Sequence, residues 1–89
     1  DETILLRQLE KLAQSIKLEV RYDRPGGKVA FVEGGLCRIK DKQVIIINKT
    51  VSTSQKIRIL VRELRRFDLS NIYIIPALRD LRKKGHDLL

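Results

Sequence analysis

Apolar positions along the chain change their period from segment to segment. In "TILLRQLEKLAQSIK", residues 3–17, Leu5, Leu6, Leu9, Leu12, Ala13 and Ile16 recur three or four residues apart among Arg, Lys, Glu and Gln. That spacing predicts an amphipathic helix with one face to a core. Asp1 or Thr3 supplies its N-cap. "LEVRY", 18–22, alternates Leu18, Val20 and Tyr22 with Glu19 and Arg21, the period of a half-buried strand. "DRPGGK" is a loop by its Pro and paired Gly. "VAFVE", 29–33, is a second strand, and Gly34-Gly35 then interrupt the pattern as a turn or a bulge. "LCRIK" and "QVIIIN" flank the short polar stretch Lys40-Asp41-Lys42 and pair as a hairpin, although the turn lacks the favoured Asn-Gly chemistry.

Val44-Ile45-Ile46-Ile47 is apolar without alternation. Such a strand is central or covered on both faces, and a second copy of the chain is one way to cover it. Ser52 or Ser54 caps the next helix. From Gln55 onward, Ile57, Leu60, Val61, Leu64 and Phe67 share one face about 120° wide. Ile59, at about 200° from Ile57 on this wheel, falls among polar positions and is expected at the surface. "DLSN" ends the helix near residue 67. "IYII", 72–75, is a connector that packs under the last helix or forms a docking edge. Pro76 opens that helix, which runs to about Lys84 with Gly85 at its C-cap. The expectation is a single α+β domain over 1–89. It has an N-terminal helix, a three-stranded antiparallel meander and two C-terminal helices packed on one sheet face.

Charge adds a direction to this picture. The formal net charge is +8, and residues 56–84 hold nine Lys/Arg against three acids. Arg58, Arg62, Arg65 and Arg66 span about 80° to 180° on the wheel, opposite the apolar face. Arg79, Arg82, Lys83 and Lys84 add charge from the last helix. A strip of this kind is either a solvated face or a surface for an acidic protein or nucleic acid. No aromatic platform for single strands and no helix-turn-helix accompany it.

Little other chemistry is on offer. His86 is the one histidine and sits in "KKGHDLL", read as a solvated tail. Cys37 is the one cysteine, so no internal disulfide forms. In a strand beside Leu36 it reads as a small buried apolar group, with a reactive thiol as the alternative. The paired glycines match no phosphate-binding loop. No apolar run approaches bilayer length, and a cytoplasmic, non-membrane protein is expected.

One frame stands out. Arg62-Glu63-Leu64-Arg65-Arg66 is H-E-x-x-H with arginine at both histidine positions. Two histidines four apart on a helix ligate zinc while the Glu between them polarises bound water. The stretch "VIIINKTVSTSQKIRILVRELRRF" resembles the small ImmA/IrrE-type zincin-like family. There an aliphatic strand ends in Asn, a Ser-containing turn follows, and a helix carries Ala-His-Glu-Leu-Gly-His. Asn48 takes the Asn place, Ser52–Ser54 the turn, and Val61 to Arg66 the motif. About 24 residues carry the likeness. The resemblance implies a zincin-like scaffold, but Arg62 and Arg66 stay protonated and offer no lone pair to a metal. No metal site, cofactor or catalytic residue is therefore expected, and Glu63 reads as a surface partner of Arg66 or Lys56. The expected role is a non-catalytic interaction or regulatory module. The alternative is a nucleic-acid-binding domain that uses the basic face of the 55–67 helix.

Overall fold

The computed structural model describes residues 1–24 and 34–79. The strand expected at 29–33, and the last helix beyond residue 79 with its Gly85 cap, lie outside the described residues. In chain order the elements are α1 (Glu2–Ser15), β1 (Glu19–Asp23), β2 (Gly34–Ile39), β3 (Lys42–Asn48), α2 (Thr53–Leu64) and α3 (Pro76–Arg79). The α+β class is as expected, and α1 and α2 each stop a few residues short of the ends the periodicity predicts.

Local chemistry explains the ends of both long helices. Asp1 caps α1 by accepting from the Thr3 N–H at 3.0 Å. At the other end, the Lys17 N–H donates to the Gln14 carbonyl and the Leu18 N–H to the Ala13 carbonyl. This is a Schellman closure, and it holds Lys17 at φ 61°, where glycine is the usual occupant. Ser52 caps α2 in a full capping box. Its hydroxyl accepts from the Gln55 N–H, and the Gln55 side chain accepts from the Ser52 N–H. After Leu64 the chain tightens, with the Arg66 and Phe67 N–H groups donating to the Glu63 and Leu64 carbonyls.

The sheet corrects the antiparallel meander. Its order is β1-β3-β2: β3 pairs antiparallel with β2 but parallel with β1, with Val20 opposite Ile45 and Tyr22 opposite Ile47. Only the connection between β2 and β3 is a tight turn. Lys40 and Asp41 both have positive φ, 47° and 66°, the backbone of a two-residue type I′ hairpin without the usual Asn-Gly. Between β1 and β3 there is ample chain for a parallel return. Gly34 and Gly35 are neither turn nor bulge. They open β2, opposite Ile47 and Ile46.

Register assigns the faces. Ile45 and Ile47, with Val20, Tyr22 and Leu36 beside them, join the core formed by Leu9, Leu12 and Ala13 of α1 and Leu60 and Leu64 of α2. Val44 and Ile46 point to the opposite face and are also buried, at 0% and 3% exposure. The expectation of a central, doubly covered strand holds. Both faces of β3 are buried within a single chain. Cys37, on the same face as Val44, is half-buried rather than enclosed.

The helices form one layer, with α1 over β1 and α2 over β2 and β3. Contrary to expectation, α3 packs against α1 and not on the sheet. Of the connector, Ile74 is buried and Ile72 and Ile75 are half-buried, whereas Tyr73 is 77% exposed. Polar contacts stitch the layers at their margins. The Tyr22 hydroxyl donates to Glu10 of α1, and Lys56 of α2 sits over the Tyr22 ring at 5.3 Å. Burial, reinforced by the bond to Glu10, pushes the Tyr22 phenol above its ordinary pKa.

Candidate polyanion surface on α2

The exposure of α2 follows from its two packed flanks. Ile57, Ile59, Leu60, Val61, Glu63 and Leu64 are all buried. At 100° per residue they cover an arc of about 200°, wider than the stripe about 120° wide of Ile57, Leu60, Val61, Leu64 and Phe67. Ile59, expected on the surface, is 2% exposed. It and Glu63 are one turn apart along the flank that the narrow stripe leaves out. Arg58, Arg62, Arg65 and Arg66 are exposed, as the wheel predicts. They span nine residues, from the middle of α2 to two residues past its end at Leu64. Arg62, in the last turn, also complements the helix dipole, a purely structural benefit.

The remaining predicted cations do not extend this strip. Arg79 donates through Nε to the Ile74 carbonyl at 3.0 Å, on a helix that packs against α1 rather than α2. It fastens the C-terminal segment. Arg82, Lys83, Lys84 and His86 lie outside the described residues.

Glu63, like Ile59, is buried where a surface position was expected. It is not a surface partner: 3% of it is exposed. Its Oε2 lies 3.2 Å from Arg66 Nε and its Oε1 3.7 Å from Arg62 Nε, whose side chains remain 63% and 48% exposed. The Oε2 contact is electrostatic, since that buried oxygen accepts no well-aligned hydrogen bond. Lys56, the other proposed partner, is the residue over Tyr22. Arg62 also reaches across to the sheet, where its Nη2 donates to the Gly34 carbonyl at 3.0 Å. Gly34 has φ 152°, and a Cβ there would meet the Ile46 carbonyl oxygen at 2.5 Å. The position has to be glycine, and the carbonyl that holds Arg62 depends on it. A signal for Glu63 existed in the sequence: Ile59 and Glu63 stand four residues apart, one turn along the same flank.

Just past α2, the Asp68 carboxylate accepts from Ser70, and this bonding holds its pKa below the usual range. Asn48, at the end of β3, is 7% exposed, and its Oδ1 accepts from the Thr50 N–H and hydroxyl at 2.9 and 2.7 Å. It shapes the turn that leads to Ser52. Among the described residues no three His, Cys, Asp or Glu side chains come together as a metal site. No described helix is long and apolar enough to cross a membrane.

A concavity of about 740 Å³ lies at the other end of the sheet, between the C-terminus of α1 and the hairpin turn. Lys17, Arg38 and Lys42 line it together with Glu19 and Asp41. Its mixed charge selects no ligand class, and Glu19 is already engaged by Arg21, whose hydrogen bond lowers its pKa.

Comparison with protein families, with curated proteins and with solved structures yields no match to this chain.

Proposed function

We propose that this domain is a non-catalytic interaction module that meets an anionic partner through the arginine face of α2. The observation that carries the reading is the exposure of Arg58, Arg62, Arg65 and Arg66 on the one side of α2 that neither α1 nor the sheet covers. A single-sign cationic face of this length attracts polyanions and releases their counterions on contact.

The zincin-like ancestry belongs to the same proposal. It is supported by the order of an aliphatic strand ending in Asn48, the Ser52 cap, and a helix bearing Arg62-Glu63-Leu64-Arg65-Arg66. On this reading the scaffold has exchanged both ligand positions for fixed cations. Stoichiometric zinc in the purified protein would overturn that part of the proposal.

An acidic protein and a nucleic acid both present anions. What favours the nucleic acid is the use of arginine at all four exposed cationic positions. The planar guanidinium fork suits bidentate phosphate contacts, whereas a lysine acts as a point charge. The test is the salt dependence of binding to a labelled DNA duplex. Wild type should bind at low salt. The Arg58/Arg62/Arg65/Arg66→Ala variant should lose about tenfold or more in affinity and show a shallower salt slope. A Lys40/Lys42→Ala control at the hairpin end should change little. No binding by wild type, or equal binding by the arginine variant, would reject the surface.

A further inference from the structure

We propose that the outer edge of β2 is a docking site for an extended acidic peptide, which joins the sheet as a further strand at Leu36 and Arg38. This site is separate from the arginine face of α2 and does not depend on it.

The register decides which backbone groups of β2 are open. Ile39 and Lys42 flank the two-residue turn, so this pair exchanges the closing hydrogen bonds of the hairpin. Antiparallel pairs then alternate between bonded and non-bonded. Cys37 and Gly35 are therefore bonded to β3, while Arg38, Leu36 and Gly34 turn their N–H and C=O groups away from it. A separate contact agrees with that direction: the Gly34 carbonyl accepts from Arg62 Nη2 of α2. Among the described residues, no group pairs with the outward N–H and C=O of Leu36 and Arg38. Two donors and two acceptors thus stand along the edge, with the two residues about 7 Å apart.

The two edges of the sheet differ in protection. Glu19, Arg21 and Asp23 make three of the five residues of β1 charged, a guard against further pairing. β2 has one charge, Arg38, beside the half-buried Leu36, Cys37 and Ile39. Arg62 closes its edge at Gly34 and leaves Leu36 and Arg38 as they are. An edge without guards is a template for strand addition.

Side chains choose the occupant. Leu36 and Arg38 are on one face of the strand, by its two-residue period. Leu36 packs against the core, and Arg38 is exposed with no ion pair among the described residues. Antiparallel addition uses all four backbone groups with two peptide residues, one opposite each. An aliphatic residue opposite Leu36 extends the core outward, and Asp or Glu opposite Arg38 pairs with its guanidinium. The strands run in opposite directions, so the peptide reads acid-x-aliphatic from its N-terminus. A second copy of the chain fits worse. A seam between two β2 strands would gather both Arg38 side chains and join two chains of net charge +8.

The experiment is an NMR titration of the ¹⁵N-labelled chain with the end-blocked peptide Thr-Glu-Val-Ile-Thr. The Leu36 and Arg38 amides should shift and become protected from hydrogen exchange. The same peptide N-methylated at its Ile keeps charge and side chains but lacks one edge donor, and should bind about tenfold more weakly. A peptide with Lys in place of Glu should bind wild type about fivefold more weakly and recover with the Arg38→Glu variant. Arg58/Arg65/Arg66→Ala should bind the parent peptide within about twofold of wild type. Both altered peptides are read on wild type, so a variant that fails to fold does not blunt the test. No shift at Leu36 and Arg38 with millimolar peptide overturns the proposal. Equal binding of the N-methylated peptide also overturns it, by reducing the contact to charge, and loss of binding in the α2 variant moves the contact to the helix. A wild-type dimer with these two amides protected before any peptide is added assigns the edge to a second copy and overturns it as well.

Discussion

The two long helices have similar lengths and opposite surfaces. The fourteen-residue α1 buries Leu9, Leu12 and Ala13 in a single stripe, and Leu5, Leu6 and Ile16 are half-covered. Its exposed side mixes signs, with Glu2, Arg7 and Lys11 in water. The twelve-residue α2 buries six residues, one of them charged, and shows arginine at two exposed positions, with Arg65 and Arg66 exposed just past its end. An outer helix can spread compensating charges over a broad wet surface. A helix held on two flanks has a narrow wet side, and here one sign fills it. The mixed face of α1 is what solubility alone requires, and the face of α2 departs from it.

The largest way to break the comparison is to empty the core beneath each helix. Leu60→Ala, at a position with 0% exposure, should cost about 2–5 kcal/mol in urea denaturation, and Leu6→Ala on α1 about 1 kcal/mol. Equal losses would mean that α2 is not the better-buried helix. A smaller effect sharpens the dependence of α2 on the sheet. Gly34→Ala should cost about 1–3 kcal/mol, because its methyl meets the β3 backbone. Gly35→Ala, where a Cβ finds open space, should stay within about 0.5 kcal/mol. The same pair of melting curves checks both. The smallest concerns the end of α1. Replacing Lys17, held at φ 61°, by glycine should raise stability by about 0.5 kcal/mol, since relief of the left-handed strain exceeds the entropy that glycine adds to the unfolded chain. No rise in the melting temperature would mean that the lysine is not strained there.

Much of the local structure was legible. The spacing of Leu5 to Ile16 and of Ile57 to Leu64 placed both helices, and of the two candidate caps for each, Asp1 or Thr3 and Ser52 or Ser54, the first is the one used. Periodicity reports what one segment does, and it is silent on which strands meet. The unalternating Val44-Ile45-Ile46-Ile47 correctly implied a central strand. That β1 joins it in parallel depends on the path of the chain, which short-range pattern does not encode. Ile59 and Glu63 were misplaced for a related reason. A wheel weighted by hydrophobicity draws the narrowest apolar stripe and assumes a single packed side. α2 has two, and the second is recognisable once a buried charge is allowed there. Of the candidate site, the arginine positions were readable from spacing, while the Gly34 carbonyl and the enclosed carboxylate required the tertiary arrangement.

The two-residue turn at Lys40-Asp41 has a consequence for how the sheet assembles. It brings β2 and β3 together at almost no loop-closure cost, while β1 meets β3 across a much longer stretch of chain. The entropy of the second closure must be lost before its contacts form, which places it late among folding events. The hairpin, with α2 following directly after β3, is therefore the local unit onto which β1 and its attached α1 dock. The scaffold of the arginine face is built first, and the helix of mixed charge closes over it last.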